Sequence, residues 1–121
     1  MQEKPIVIHI DIGNQSLTTW VKENKYILHS ELVRYSEKMI KENIDVLQAV
    51  MVSNLVDNVV FILKKDSLSL TLEKAMEYFM SIEEYEKCAK IRDLEYLLKN
   101  QKNEAKNIKD SKRDKRPSQG Y

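Results

Sequence analysis

The alternation of apolar and polar residues near the N-terminus predicts a β-strand. Isoleucine occupies every second position of 6–12, which is the period of a strand with one buried face. A Gly-Asn pair, which tolerates the positive φ of a turn, follows. Segments 17–21 and 26–28 are rich in β-branched and aromatic residues, and a polar stretch separates them. We therefore predict a small antiparallel β meander over 6–29.

The middle of the chain predicts helices, with one ambiguity. Apolar residues recur at helical spacing over 31–43. Segment 46–56 is apolar on most sides, which favours a central buried helix. The apolar run 59–63 is compatible with a buried strand that turns into a second strand over 68–72. It is equally compatible with continuation of the preceding helix, because periodicity does not distinguish short buried segments.

The C-terminal half contains the clearest pattern, that of an αα-hairpin over 72–100. Apolar residues recur at helical spacing both before and after Ser81. Ser81 precedes Glu84 by three positions, which is the spacing of a capping box at a helix start. One helix should therefore end and another begin within a residue or two of this point.

Composition limits the architecture and the cellular setting. The chain has 121 residues, with only two glycines, two prolines and one cysteine. These numbers disfavour a turn-rich β-sandwich and leave no internal disulfide. We predict a single small α+β domain over 1–100 and a flexible tail over 101–121. No apolar run has the length of a membrane span and the N-terminus is a poor secretory signal, so we expect a cytoplasmic protein.

Charge is segregated along the chain although the net charge is only +1. Residues 99–121 carry eight basic and three acidic side chains, whereas residues 1–98 carry 12 basic and 16 acidic ones. The tail has few apolar residues, so it cannot bury enough surface to offset its ordering entropy. Such a tail either attracts nucleic acid or another acidic surface, or serves only solubility. The basic residues expected to contact a polyanion are Lys109, Lys112, Arg113, Lys115 and Arg116.

The hairpin resembles the UVR motif of the UvrB and UvrC excision-repair proteins, which also occurs in ClpC-type chaperones and their adaptors. The resemblance covers 72–98 and is carried by an aromatic-Glu opening at Tyr85, a pair of small residues and a hydrophobic-Arg-Asp segment that begins at Ile91. The family's small pair is here Cys88 and Ala89. The resemblance implies docking onto another hairpin, in a partner or a second copy, through 82–98. It implies no repair chemistry, because the rest of the chain lacks helicase and nuclease segments.

Two interpretations of this helix stay open from the sequence. Small residues between larger apolar ones allow close approach of a second helix, which suits a docking surface. The same residues could instead pack the helix against the domain's own core. The residues predicted to bind a partner are Tyr85, Cys88, Ala89, Ile91, Arg92 and Leu98.

The sequence contains few features that indicate an enzyme. Residues 8–16 resemble the first phosphate motif of the actin-like and type III pantothenate kinase superfamily, in which an aspartate and a glycine turn hold metal and phosphates. That fold requires two lobes, which 121 residues cannot supply. His9 and His29 have no metal-ligand cluster nearby, and Cys88 lies beside acidic residues that do not activate a thiol. We predict no catalytic residue, no metal and no cofactor.

The sequence thus favours a non-enzymatic interaction protein, an adaptor or a structural-assembly protein that docks through its hairpin. The alternative is a nucleic-acid- or ribonucleoprotein-associated factor that binds through its basic tail. The abundance of Lys, Ile and Asn is typical of a low-GC genome, bacterial or viral, and in the viral case the setting is an infected cell or a virion.

Overall fold

The computed structural model describes the backbone of residues 8–114 and the side chains of residues 8–101. Within this range the chain forms an α+β domain with a three-stranded sheet and four α-helices. A short 3-10 turn joins the last strand to the third helix. In chain order the elements are β1 (Ile8–Asp11), α1 (Leu17–Glu23), α2 (Lys25–Glu42), β2 (Val46–Ser53), β3 (Asn58–Lys64), the 3-10 turn (Lys65–Ser67), α3 (Leu68–Ser81) and α4 (Tyr85–Asp114).

The sheet has the order β1-β2-β3 and mixes two kinds of pairing. β1 lies parallel to β2, with Ile8 opposite Val50, and β2 lies antiparallel to β3. A parallel pair needs a long crossover, which α1 and α2 provide here. A register shift between Gln48 and Val50 places a bulge on the central strand.

The predicted N-terminal β meander is wrong beyond its first strand. Segment 17–21 lies in α1 and segment 26–28 lies in α2. Ser16 caps α1, because its Oγ accepts a hydrogen bond from the Thr19 amide at 3.3 Å. Burial of Trp20 then holds this short helix on the core. Tertiary packing therefore outweighs the local β propensity of these residues.

The predicted central helix over 46–56 is also wrong, since residues 46–53 form the middle strand. The bulge places the consecutive Ala49 and Val50 both in the core, which breaks the period-2 alternation of a strand and imitates the pattern of a buried helix. The preceding helix ends where Asn43 adopts the left-handed conformation, with φ 56°. The Ile44 amide then donates to the Met39 carbonyl at 2.9 Å, which ends the helix shortly before β2 begins.

Of the two alternatives for 59–63, the strand is confirmed, but the partner strand predicted over 68–72 is wrong. Leu68 and Leu72, spaced i and i+4, are fully buried in α3. Leu70, between them, is 53% exposed. This is the burial pattern of a helix, because a strand would bury all three leucines on one face.

The helices pack on one face of the sheet and leave the other face uncovered by any described element. Ile8 and Ile10 of β1 pack against the core beside Val50 and Val52 of β2. The intervening residues point to the opposite side, because side chains alternate along a strand. We call this side the open face; it carries His9, Asp11, Met51, Val60 and Ile62.

The αα-hairpin of α3 and α4 is confirmed, but its turn differs from the prediction. Ser81 ends α3 rather than capping α4, and its Oγ donates to the Tyr78 carbonyl at 2.6 Å. Glu83 adopts a left-handed conformation, with φ 61°. The Glu84 amide then donates to the Phe79 carbonyl at 2.9 Å, as in a Schellman motif. The turn is thus formed by the hydrogen bonds that end α3, and not by a capping box at the start of α4.

Helix α4 extends through the first part of the predicted tail. Its backbone is helical to Asp114, so the structure has helix where the sequence predicts a flexible segment over 101–121. The flexibility of this segment in solution stays a prediction, and residues 115–121 lie outside the described residues. No helix in the described part of the chain combines the length and apolar character needed to cross a bilayer.

Candidate docking surface on the C-terminal helix

The inward face of α4 holds three of the residues predicted to bind a partner. Cys88, Ile91 and Leu98 are 3%, 0% and 2% exposed, and they belong to the hydrophobic core. The Cys88 thiol lies 3.9 Å from the Met76 carbonyl of α3. A partner could reach these three side chains only if the domain opened. For them the docking prediction is corrected: they pack α4 against its own domain.

The outward face of α4 holds the other three predicted residues. Tyr85 is 61% exposed, and Ala89 and Arg92 are exposed as well. Tyr96, which the prediction omitted, is 66% exposed. These four residues follow the spacing i, i+4, i+7 and i+11, which places them along one side of the helix. We call them the outer stripe: Tyr85, Ala89, Arg92 and Tyr96.

The N-terminal end of the outer stripe is braced by α2. The Tyr26 hydroxyl donates to Glu84 Oε1 at 2.6 Å, directly before α4 begins. The Tyr26 ring meets Phe79 edge-on at 5.7 Å. The Lys87 ammonium lies 5.4 Å from the centre of the Tyr26 ring. The hydrogen bond to the Glu84 carboxylate is the main cause that raises the pKa of Tyr26. The hairpin turn is therefore fixed by contacts from another element.

A second brace joins the middle of α2 to α4. Glu37 pairs with Lys41 at 2.8 Å and with Lys90 at 2.9 Å. Hydrogen bonds from these two ammonium groups, Lys41 first, lower the pKa of Glu37. Further along, Gln101 Nε2 donates to the Ile40 carbonyl at 2.8 Å. Helix α4 is thus tied to α2 at its start, middle and end within the domain.

A cleft of about 300 Å³ lies between α2 and α4. Three basic and two acidic side chains line it, so opposite charges largely offset one another there. Among the described residues, no three His, Cys, Asp or Glu side chains lie close enough to hold a metal ion. The lining residues are Ser30, Glu31, Val33, Arg34, Glu37, Lys87 and Lys90.

The polar groups of the phosphate-like segment serve the turn between β1 and α1. Asp11 Oδ1 accepts from the Gly13 amide at 3.0 Å, and Gly13 has φ 66°. The Gly13 carbonyl accepts from the Leu55 amide at 2.8 Å. Ser16 caps α1, as described above. The Asp-Ile-Gly-Asn sequence thus closes a strand-to-helix connection.

Both histidines have neighbours that the sequence did not indicate. His9 Nε2 lies 2.8 Å from Ser53 Oγ across the parallel strand pair on the open face. This contact could have been predicted only from the pairing of β1 with β2, which the sequence does not indicate. His29 stacks on Tyr78 at 4.8 Å. Burial, followed by the charge of Lys25, lowers the pKa of His29.

The predicted polyanion-binding residues lie apart from the outer stripe along the chain. Lys109, Lys112 and Arg113 are in the part of α4 whose backbone alone is described. Lys115 and Arg116 lie outside the described residues.

Comparison of the chain with family models, curated proteins and solved structures finds no match.

Proposed function

We propose that this protein is a non-enzymatic interaction protein that docks a partner helix on the outer stripe of α4. The exposure of Tyr85 and Tyr96, at 61% and 66%, is the observation that carries the proposal. Tyrosine and arginine are the residue types that dominate binding energy at protein interfaces. Ala89 leaves a gap between the two rings, and a helix can approach the backbone closely there.

The bracing of α4 supports the same proposal. Binding costs free energy for each side chain and segment that must be ordered, and a rigid surface reduces that cost. Tyr26, Glu37 and Gln101 already hold α4 against α2 in the free domain. The resemblance to the UVR motif is part of this proposal, with its exposed positions Tyr85 and Ala89 as the partner contacts.

Charge around the outer stripe favours a different protein over a second copy at this surface. Glu86 and Asp93 are exposed along one side of the stripe. In an antiparallel pair of identical helices related by a two-fold axis, the same flank of each helix meets its counterpart in the other copy. Glu86 and Asp93 would therefore face the same carboxylates of the second copy. Like charges at such a seam oppose association. The expected partner helix carries a carboxylate to pair with Arg92 and basic residues to pair with Glu86 and Asp93.

The test is capture of the partner from the native source with the full chain, followed by calorimetry with the purified partner. Ala89→Arg should weaken binding at least about tenfold, since it fills the gap with a bulky charge. Leu70→Arg, an equally drastic change at an exposed position of α3, is the matched control and should bind normally. Equal affinity of Ala89→Arg and the unaltered protein would refute docking on the stripe.

The charge segregation favours a second candidate function, binding of nucleic acid through the basic tail. Eight basic residues against three acidic ones in 99–121 support it. Removal of residues 102–121, which keeps Gln101 in place, should then abolish binding to a random duplex while leaving partner capture intact. Binding should weaken steeply with salt, because each neutralised phosphate releases a counterion. Helix docking on the outer stripe should weaken much less steeply with salt, because only its few ion pairs are screened and no phosphate counterions are released.

A further inference from the structure

Strand β3 lies at an edge of the sheet, with no described element along its outer side. Within the sheet its hydrogen-bonded neighbour is β2 alone. Backbone amides and carbonyls alternate in direction along a strand, so about half of those in β3 point away from β2. Ile62 is 49% exposed, and Val60 and Phe61 are half-buried, with Phe61 packed against the core on the helix-covered face. The middle of the strand is therefore partly open to solvent.

The usual protection of an edge strand is absent from β3. Proteins blunt free edges with proline, central charges or bulges. The residues of β3 between Asn58 and Lys64 are Val-Val-Phe-Ile-Leu, with neither proline nor charge. The bulge of the β2–β3 pair lies on β2, at Gln48 and Val50. An edge that is left uncharged over five residues is suited to pairing with another strand.

We propose that β3 pairs antiparallel with β3 of a second copy of this chain, which joins the two sheets into one of six strands. The strand is self-complementary in the register centred on Phe61. In that register Val60 faces Ile62 of the other copy on the open face, so both cross-strand pairs there are apolar. Lys64 faces the neutral Asn58, so no like charges are opposed.

The small size of the contact sets the strength of the dimer. Stable protein interfaces bury roughly 800 Å² on each partner. A pair of seven-residue strands buries less than that, although the joined open faces add apolar contact around Ile62. We expect a reversible dimer that dissociates on dilution. This contact is separate from the outer stripe, because the stripe lies on the exposed side of α4 whereas β3 lies at the edge of the sheet.

The test is sedimentation of the full chain over a wide range of protein concentration. Ile62→Lys places two lysines on diagonal positions across the two-fold axis and should weaken the dimer by about tenfold or more. Leu70→Lys adds the same charge at an exposed position of α3 and should leave the dimer unchanged. Thermal melts of both variants check that the monomer stays folded. A cysteine at the axis, Phe61→Cys, should link two copies on oxidation, whereas Leu70→Cys should not.

Each result decides the proposal. A concentration-dependent dimer that Ile62→Lys alone weakens, and that Phe61→Cys links, supports pairing of β3 with β3. A monomer at every concentration overturns it. A dimer that Leu70→Lys disrupts equally overturns it too. A dimer that Ala89→Arg dissociates, while Ile62→Lys does not, places self-association on α4 and also overturns it.

Discussion

Ala89 and Ile91 are two positions apart on α4, and replacing each in turn separates docking from folding. Ala89 is exposed, so Ala89→Arg should change the free energy of unfolding by less than about 0.5 kcal/mol. Arginine and alanine have similar helix propensities, and the longer side chain can extend into solvent. The same substitution should weaken partner binding on the outer stripe at least about tenfold.

Ile91→Ala should have the opposite effect. Ile91 is fully buried between α4 and the rest of the core. Removing its three outer carbons should cost about 2–5 kcal/mol, from lost burial and from the cavity left behind. For a domain of this size that lowers the melting temperature on the order of ten degrees or more. Partner affinity at a temperature where the variant remains folded should be nearly unchanged.

The assay combines urea unfolding, followed by circular dichroism, with calorimetry against the captured partner. A destabilisation of more than about 2 kcal/mol by Ala89→Arg would contradict the outward position of Ala89, since this is the effect expected of a buried position. A loss of affinity in folded Ile91→Ala as large as that of Ala89→Arg would contradict the inward position of Ile91. In either case the assignment of inward and outward faces would be wrong.

Further predictions concern α2 and the β1–α1 turn. Tyr26→Phe removes the hydrogen bond to Glu84 and should lower the midpoint of urea unfolding. An unchanged midpoint would show that this hydrogen bond does not stabilise the domain. Because the pKa of His29 is lowered from 6.5, the unfolded chain takes up the proton first. Stability should therefore fall as the pH drops below about 6.5 and level off below the folded pKa. His29→Phe should flatten this part of the profile, and an unaltered slope would contradict the assignment. Calorimetry with ATP and Mg²⁺ should show no saturable heat; micromolar binding that Asp11→Ala abolishes would refute this.

The parts of the fold that local pattern determines were predictable from the sequence. The hairpin of α3 and α4 is local, and its apolar residues repeat at helical spacing over several turns. The parallel pairing of β1 with β2 is not local. Nothing in residues 8–11 indicates that their neighbouring strand follows only after two intervening helices. Without that pairing, the strong β propensity of 17–21 favoured a meander, and the apolar run at 46–53 looked like a buried helix.

The candidate site was predictable in part for a related reason. Helical spacing shows which residues share a side of α4, but both sides carry apolar or aromatic residues. Burial is decided by the packing of α4 against α3 and the rest of the core, where the Cys88 thiol lies near the Met76 carbonyl of α3. Periodicity from Tyr85 would have identified Tyr96, three turns further along the helix.

The parallel pairing of β1 with β2 has a consequence for how the chain assembles. β1 is synthesised before the other described elements, and its neighbour in the sheet, β2, follows only after α1 and α2. Contacts that are close in sequence, such as those of β2 with β3 and of α3 with α4, close quickly, whereas joining β1 to β2 carries the entropy of a long loop. We expect β1 to join the sheet late. Until then the edge of β2 that pairs with β1 is open to other strands, so we expect aggregation to start from chains in which β1 has not yet joined the sheet.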